Sequence, residues 1–140
     1  MDHAPRFLRL CEETRARISE LTAEEYSARQ AELQQRGQPQ LRLIDVREDH
    51  EWEAGRIPGA QHLGRGILER DIERAIPDDS TGIVLYCGGG FRSALAAESL
   101  TRMGYKNVFS LAGGFRGWKD AGRTVETAEA ASQGAGQESS

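Results

Sequence analysis

The run Tyr86-Cys87-Gly88-Gly89-Gly90-Phe91-Arg92-Ser93 concentrates the residues of this chain that could do covalent chemistry. An apolar stretch, Ile83-Val84-Leu85, leads into a thiol; three glycines, an arginine and a helical pattern follow. A strand that ends on a cysteine and turns through glycines into a helix gathers backbone N–H groups around the sulfur, and the helix dipole favours negative charge there. The thiolate is the nucleophilic form, so this setting equips Cys87 to attack an electrophilic centre. A lone cysteine after a buried strand is by itself an ordinary small core residue. Three consecutive glycines are harder to explain by packing, because they carry an entropic cost and serve where the chain needs unusual dihedrals or close approach to a ligand. Arg92 at a helix start is not explained by the helix either, since cations are disfavoured at that end. Together they predict a reactive, anion-handling cysteine: Cys87 as nucleophile, and Gly88, Gly89, Gly90, Phe91 and Arg92 as the loop that holds what it attacks or carries.

The elements that must position this loop can be read from the flanking pattern. Residues 5–17 alternate apolar and charged groups at helical spacing and predict a short helix or arm, with a brief strand near Ile18. Thr22-Ala23-Glu24-Glu25 has the spacing of a capping box and opens a helix to about Arg36. Leu41-Arg42-Leu43-Ile44-Asp45-Val46 predicts a strand, residues 60–63 a shorter one, and residues 66–76 an amphipathic helix closed by Pro77. The continuous apolar run 82–86 is that of a central parallel strand buried on both faces. A helix over 92–103, a last strand over 108–111 and a short helix through Trp118 complete an α/β pattern. In such a sheet ligands bind beyond the carboxyl ends of the strands, where Asp45, Cys87 and the Gly113-Gly114 turn all fall. Residues 123–140 are rich in Ala, Gly, Gln, Ser and Glu without an apolar face, and predict a disordered tail whose removal changes little.

Composition narrows the class further. A length of 140 residues, 38% hydrophobic and 29% charged, suits one globular domain. A formal charge of −4 argues against a nucleic-acid partner, and no stretch is long and apolar enough to cross a bilayer. The N-terminus lacks a basic region followed by an apolar core, so a cytoplasmic location is expected. Two cysteines make no disulfide framework, and Cys11 reads as a packing residue or a bystander. His3, His50 and His62 share no ligand spacing with either cysteine, so no metal site is expected.

Four segments together resemble the single-domain rhodaneses. These are Leu43 to Glu48, Glu51 to Ala60 (with Arg56 where histidine is common), Tyr86 to Ser93, and Gly113 to Trp118. The resemblance runs from about Ile18 to Gly122 and divides the chain into an N-terminal helix or arm (1–17), a rhodanese-like domain (18–122) and the tail (123–140). It implies a three-layer α/β fold, a central, mainly parallel five-stranded sheet with helices on both faces. It also implies a thiosulfate sulfurtransferase that passes a sulfane sulfur, through a Cys87 persulfide, to cyanide or a thiol. Asp45 and Arg47 match residues that help hold the site region; Trp52 and Trp118 match packing positions; and no bound cofactor or metal is implied. Arg65, on the Gly64-Arg65-Gly66 loop, has two readings: a supporting residue at the border of the pocket, or a solvated surface residue, the second being favoured. The expected partners are a small-molecule donor and acceptor, with a protein thiol as a further acceptor, and the chain is taken as a monomer. Two alternatives stand beside this reading: a persulfide carrier for a protein partner, and a cysteine-based phosphatase or arsenate reductase. The resemblance implies that phosphatases of this fold have one more residue between cysteine and arginine than the four found here, Gly88 to Phe91.

The contrast between the two thiols is directly testable. Cys87→Ser should abolish sulfur transfer and Cys11→Ser should leave it nearly unchanged, as measured by turnover with thiosulfate and cyanide.

Overall fold

The computed structural model describes residues 3–127. Helix α1 (Pro5–Arg15) leads to strand β1 (Ser19–Leu21), then α2 (Ala23–Gln35), β2 (Arg42–Asp45), α3 (Asp49–Ala54) and β3 (Gln61–His62). After these come α4 (Leu68–Ala75), β4 (Gly82–Tyr86), α5 (Phe91–Arg102), β5 (Asn107–Leu111) and α6 (Gly114–Asp120). The strands form one sheet in the order β1-β5-β4-β2-β3, and every neighbouring pair is parallel. The sheet is therefore wholly parallel rather than mainly so.

Local rules account for the elements. Thr22 Oγ1 accepts from Glu25 N–H at 3.1 Å and Glu25 Oε1 accepts from Thr22 N–H at 2.9 Å, the reciprocal cap read from the sequence. Helix α4 starts two residues later than expected, because Gly66 and Ile67 lie in the preceding turn. Side chains alternate across β4 with the strand period of two. Ile83, Leu85 and Cys87 face a core shared with Leu68, Ile72, Ala97 and Leu100 of α4 and α5. Val84 and Tyr86 face the opposite core, with Tyr26 of α2 and Phe115 and Trp118 of α6. Burial on both faces is why this strand reads as an unbroken apolar run, and it places Cys87 on the α5 side of the sheet. Helix α1 lies along α5, with Cys11 and Thr14 buried between them. Among the described residues no helix is long and apolar enough to cross a membrane.

The first residues of the expected tail depart from expectation. Arg56 and Glu126 form an antiparallel bridge, N–H to carbonyl in both directions at 2.8 and 2.9 Å. Trp118 Nε1 donates to the Thr124 carbonyl at 2.7 Å, and Val125 packs beside Gly55 against the Tyr86 core. Composition missed this because the contacts are mostly backbone hydrogen bonds, which any sequence can make. The remainder of the predicted tail, 128–140, lies outside the described residues.

Truncation after Arg123 should therefore destabilise the domain by about 3 kcal/mol, from the two lost backbone bonds to Arg56, the lost Trp118–Thr124 bond and one half-buried valine. Thermal unfolding of the shortened chain should show a melting temperature several degrees lower.

Candidate active site

Cys87 follows the last residue of β4, and its side chain is 1% exposed. Its Sγ accepts hydrogen bonds from Gly90 N–H at 3.1 Å and Ser93 N–H at 3.3 Å, and lies 3.5 Å from Ser93 Oγ. Ser93 Oγ in turn is 2.8 Å from Ser110 Oγ on β5, and both hydroxyls are fully buried. The chain reaches this geometry through Gly90, whose φ of +93° is a left-handed conformation, and α5 begins at the next residue. Donors converging on sulfur at a helix N-terminus stabilise its anion.

The back of the loop is clamped by α6. Phe115 N–H donates to the Cys87 carbonyl at 2.8 Å and Arg116 N–H to the Gly88 carbonyl at 2.9 Å. The approach is so close that a Cβ on Gly114 would lie 2.5 Å from the Cys87 oxygen, which explains the second glycine of the Gly113-Gly114 turn. Within a planar trans peptide the carbonyl and the following N–H point in opposite directions. Carbonyls turned toward α6 thus aim the N–H groups of Gly88 and Gly89 away from it, on the side of the pocket these glycines line.

Arg92 does not stand free. Its guanidinium donates to both carboxylate oxygens of Glu51 on α3, at 3.0 and 3.1 Å. That hydrogen-bonded pairing is the largest influence on both groups, holding the Glu51 carboxyl below its usual range and raising the Arg92 guanidinium. Arg92 thus ties the loop to α3. Glu51 was missed in the sequence because it sits in a charge-rich turn, where it also caps α3 through the Glu48 N–H.

The residues expected to support the site divide in two. Asp45 and Arg47 form a buried pair, with Arg47 Nε 3.0 Å from each Asp45 oxygen and Nη2 2.7 Å from Oδ2. Arg47 Nη2 also donates to the Gly55 carbonyl at 2.6 Å, just past α3, and the guanidinium lies 4.2 Å from the Phe115 ring centre. Neither residue lines the Cys87 pocket; they fix the turn that carries α3, and with it Glu51. Arg65 does not border the pocket. It bonds Glu69 at 2.6 Å and Ser99 at 3.2 Å, bridging α4 to the outer part of α5. A loop position gives no information about which face of α5 a long side chain reaches, so the sequence left both readings of Arg65 open, and its place outside the pocket agrees with the surface one.

Cys87, Gly88, Gly89, Phe91 and Arg92 line a pocket of about 420 Å³ together with Glu51, Arg116 and two residues from the N-terminus, His3 and Phe7. The three glycines contribute no side chains to it, and the N-terminal segment with His3 and Phe7 closes one side. Cys11 helps hold α1 there, with its Sγ 3.8 Å from the Phe91 carbonyl, and burial pushes its thiol up. A hollow of about 460 Å³ between α2 and the start of β4 is lined by neither cysteine. Among the described residues no group of three or more His, Cys, Asp or Glu is arranged to hold a metal ion.

A parallel α/β sheet with a cysteine cradled by backbone N–H groups at a strand end defines a class of α/β domains built on a cysteine loop. Residues 23–121 match the Rhodanese-like domain, and the chain belongs to that family. It is 36% identical over 77 residues to the thiosulfate sulfurtransferase GlpE of Coxiella burnetii, covering 55% of this chain and 70% of GlpE. It is 35% identical over 78 residues to the "Putative sulfur carrier protein YrkF" of Bacillus subtilis, covering 56% of this chain and 41% of YrkF. The chain thus spans less than half the length of that relative. Among solved structures, a Rhodopseudomonas palustris protein named as a possible tyrosine phosphatase superposes with a TM-score of 0.74 at 33% identity, over 90% of this chain and 99% of its own.

The two arginines expected to support the site should separate on substitution. Arg47→Leu strands a buried carboxylate and should lower unfolding free energy by roughly 3–5 kcal/mol. Arg65→Leu removes a partly exposed pair and should lower it by less than about 1 kcal/mol in urea titrations.

Proposed function

We propose that this protein is a sulfurtransferase that carries a sulfane sulfur as a persulfide on Cys87. The observation that carries the reading is the pair of N–H donors on Cys87 Sγ, at the floor of a pocket whose loop has four residues between Cys87 and Arg92. In the first half-reaction the Cys87 thiolate attacks the outer sulfur of a donor such as thiosulfate. The sulfur–sulfur bond of the donor breaks, its electron pair leaves with sulfite, and a persulfide anion remains on Cys87. In the second, cyanide or a thiolate acceptor attacks that terminal sulfur, and the bonding pair returns to Cys87 as thiolate. The N–H groups of Gly88 and Gly89 suit the terminal sulfur. Those of Gly90 and Ser93 hold Sγ, so charge is met by fixed dipoles at each end of the transfer. Ser93 Oγ is placed to donate to Sγ when it becomes the leaving thiolate, with Ser110 supporting that hydroxyl.

Two further readings have specific support. Similarity to YrkF favours a carrier that delivers its persulfide to a protein thiol. Similarity to the Rhodopseudomonas protein raises phosphoryl chemistry, against which the short loop argues: a wider cradle is needed to seat a tetrahedral phosphate on backbone N–H groups.

Incubation with thiosulfate should add the mass of one sulfur atom to Cys87, and cyanide should remove it. Hydrolysis of aryl phosphates should be negligible. Efficient phosphatase turnover with no persulfide on Cys87 would overturn the proposal.

A further inference from the structure

Resting on that reading, we propose that α1 makes the pocket selective for an organic sulfane-sulfur donor, in which the transferable sulfur sits on a monoanionic group bonded to an aromatic or apolar body. Three rings line the pocket together with the Arg92–Glu51 pair. His3 lies 4.5 Å from the Phe91 ring centre and 5.3 Å from that of Phe7, and Phe7 lies 6.1 Å from Phe91. All three are half-buried side chains that line the same pocket as Cys87. Apolar ring surface turned toward a reactive sulfur gains from a ligand that covers it, and stacked or tilted ring contacts add to that gain.

The wall is a built feature. Helix α1 lies outside the 23–121 segment that matches the family, yet it is fastened to the active-site loop at two further points. Cys11 Sγ reaches the Phe91 carbonyl, and the Arg15 guanidinium sits 4.6 Å from the centre of the Phe91 ring. Charge points the same way. Thiosulfate is a small, strongly hydrated dianion that calls for free cations. Arg92 is engaged by both oxygens of Glu51, and that carboxylate also faces the pocket. Arg116, exposed on the pocket's rim, makes no ion pair among the described residues, so a single cation is left for the donor. One anionic charge fits better than two. At about 420 Å³ the pocket is also of the size that takes a small organic molecule, far more room than an inorganic ion fills.

Thiosulfonates, R–SO2–S⁻, carry this chemistry and provide the probe. The Cys87 thiolate attacks their terminal sulfur; the bond between the two sulfurs breaks, its electron pair leaves on the sulfinate R–SO2⁻, and Cys87 retains the persulfide. Benzenethiosulfonate and methanethiosulfonate share the reacting group and differ in the body. For the native protein kcat/KM should be about tenfold higher with the phenyl donor than with the methyl donor, the equivalent of one good apolar ring contact. In Phe7→Ala and in His3→Ala that ratio should fall towards one. The ratio is internally controlled, because a variant that folds poorly loses both rates together. Equal rates in the native protein, or a phenyl preference kept in both variants, would overturn the proposal. Failure of every donor, thiosulfate included, to leave sulfur on Cys87 would overturn the underlying sulfurtransferase reading, and this proposal with it.

Discussion

The site depends on two hydrogen bonds made behind it. Phe115 and Arg116 N–H groups hold the carbonyls of Cys87 and Gly88 from the α6 side, and peptide planarity does the rest. With the carbonyls fixed outward, successive N–H groups of the loop are turned to the pocket side, and the following turn through Gly90 delivers two more onto Sγ. A loop of three glycines would otherwise sample many conformations, since each glycine has the largest backbone freedom of any residue. Contact with α6 selects one of them. Gly114 is the position that permits it, because a side chain there would collide with the carbonyls being held.

A second layer of constraint runs through α3. The buried Asp45–Arg47 pair is desolvated at both ends, which makes it weak evidence for net stability but costly to break. Its effect is positional. Arg47 fastens the carbonyl of Gly55, the residue after α3, while Phe115 stacks on the same guanidinium. Helix α3 then presents Glu51 to Arg92. The loop is therefore gripped from behind by α6 and from the side by α3, and both grips converge on Phe115 and Arg47. Arg92, which from its place at a helix start looked like an anion receptor, is in this arrangement a tie between loop and scaffold.

Electrostatics inside the pocket follow from these ties. Pairing of Arg92 with Glu51 leaves backbone dipoles as the groups hydrogen-bonded to Cys87 Sγ, and these are fixed in direction by the fold. Its rim carries the rings of His3 and Phe7 and, from α6, Arg116. The cysteine loop lies within the segment that matches the family, residues 23–121, whereas His3 and Phe7 lie before it.

The parallel sheet and the place of Cys87 and its glycine loop at a strand end were legible in the sequence, because each has a local cause. Apolar runs report burial on two faces, a capping box reports a helix start, and consecutive glycines report a backbone that must turn sharply. The Thr22 cap, β4 and the α5 start near residue 91 are all of this kind. What the residues pair with across the fold was not legible. Glu51 and Arg92 are 41 positions apart, Ser93 and Ser110 are 17 apart, and no spacing rule connects them. Arg65, for which pocket and surface both stood open, lies away from the pocket, while His3 and Phe7, unremarkable in an amphipathic arm, form its wall. Residues 123–127 looked like a polar tail, yet backbone hydrogen bonds to Arg56 and Trp118 dock them. Local chemistry is written in neighbouring residues; long side chains and backbone edges find their partners only when the chain closes on itself, and tertiary structure alone decides those.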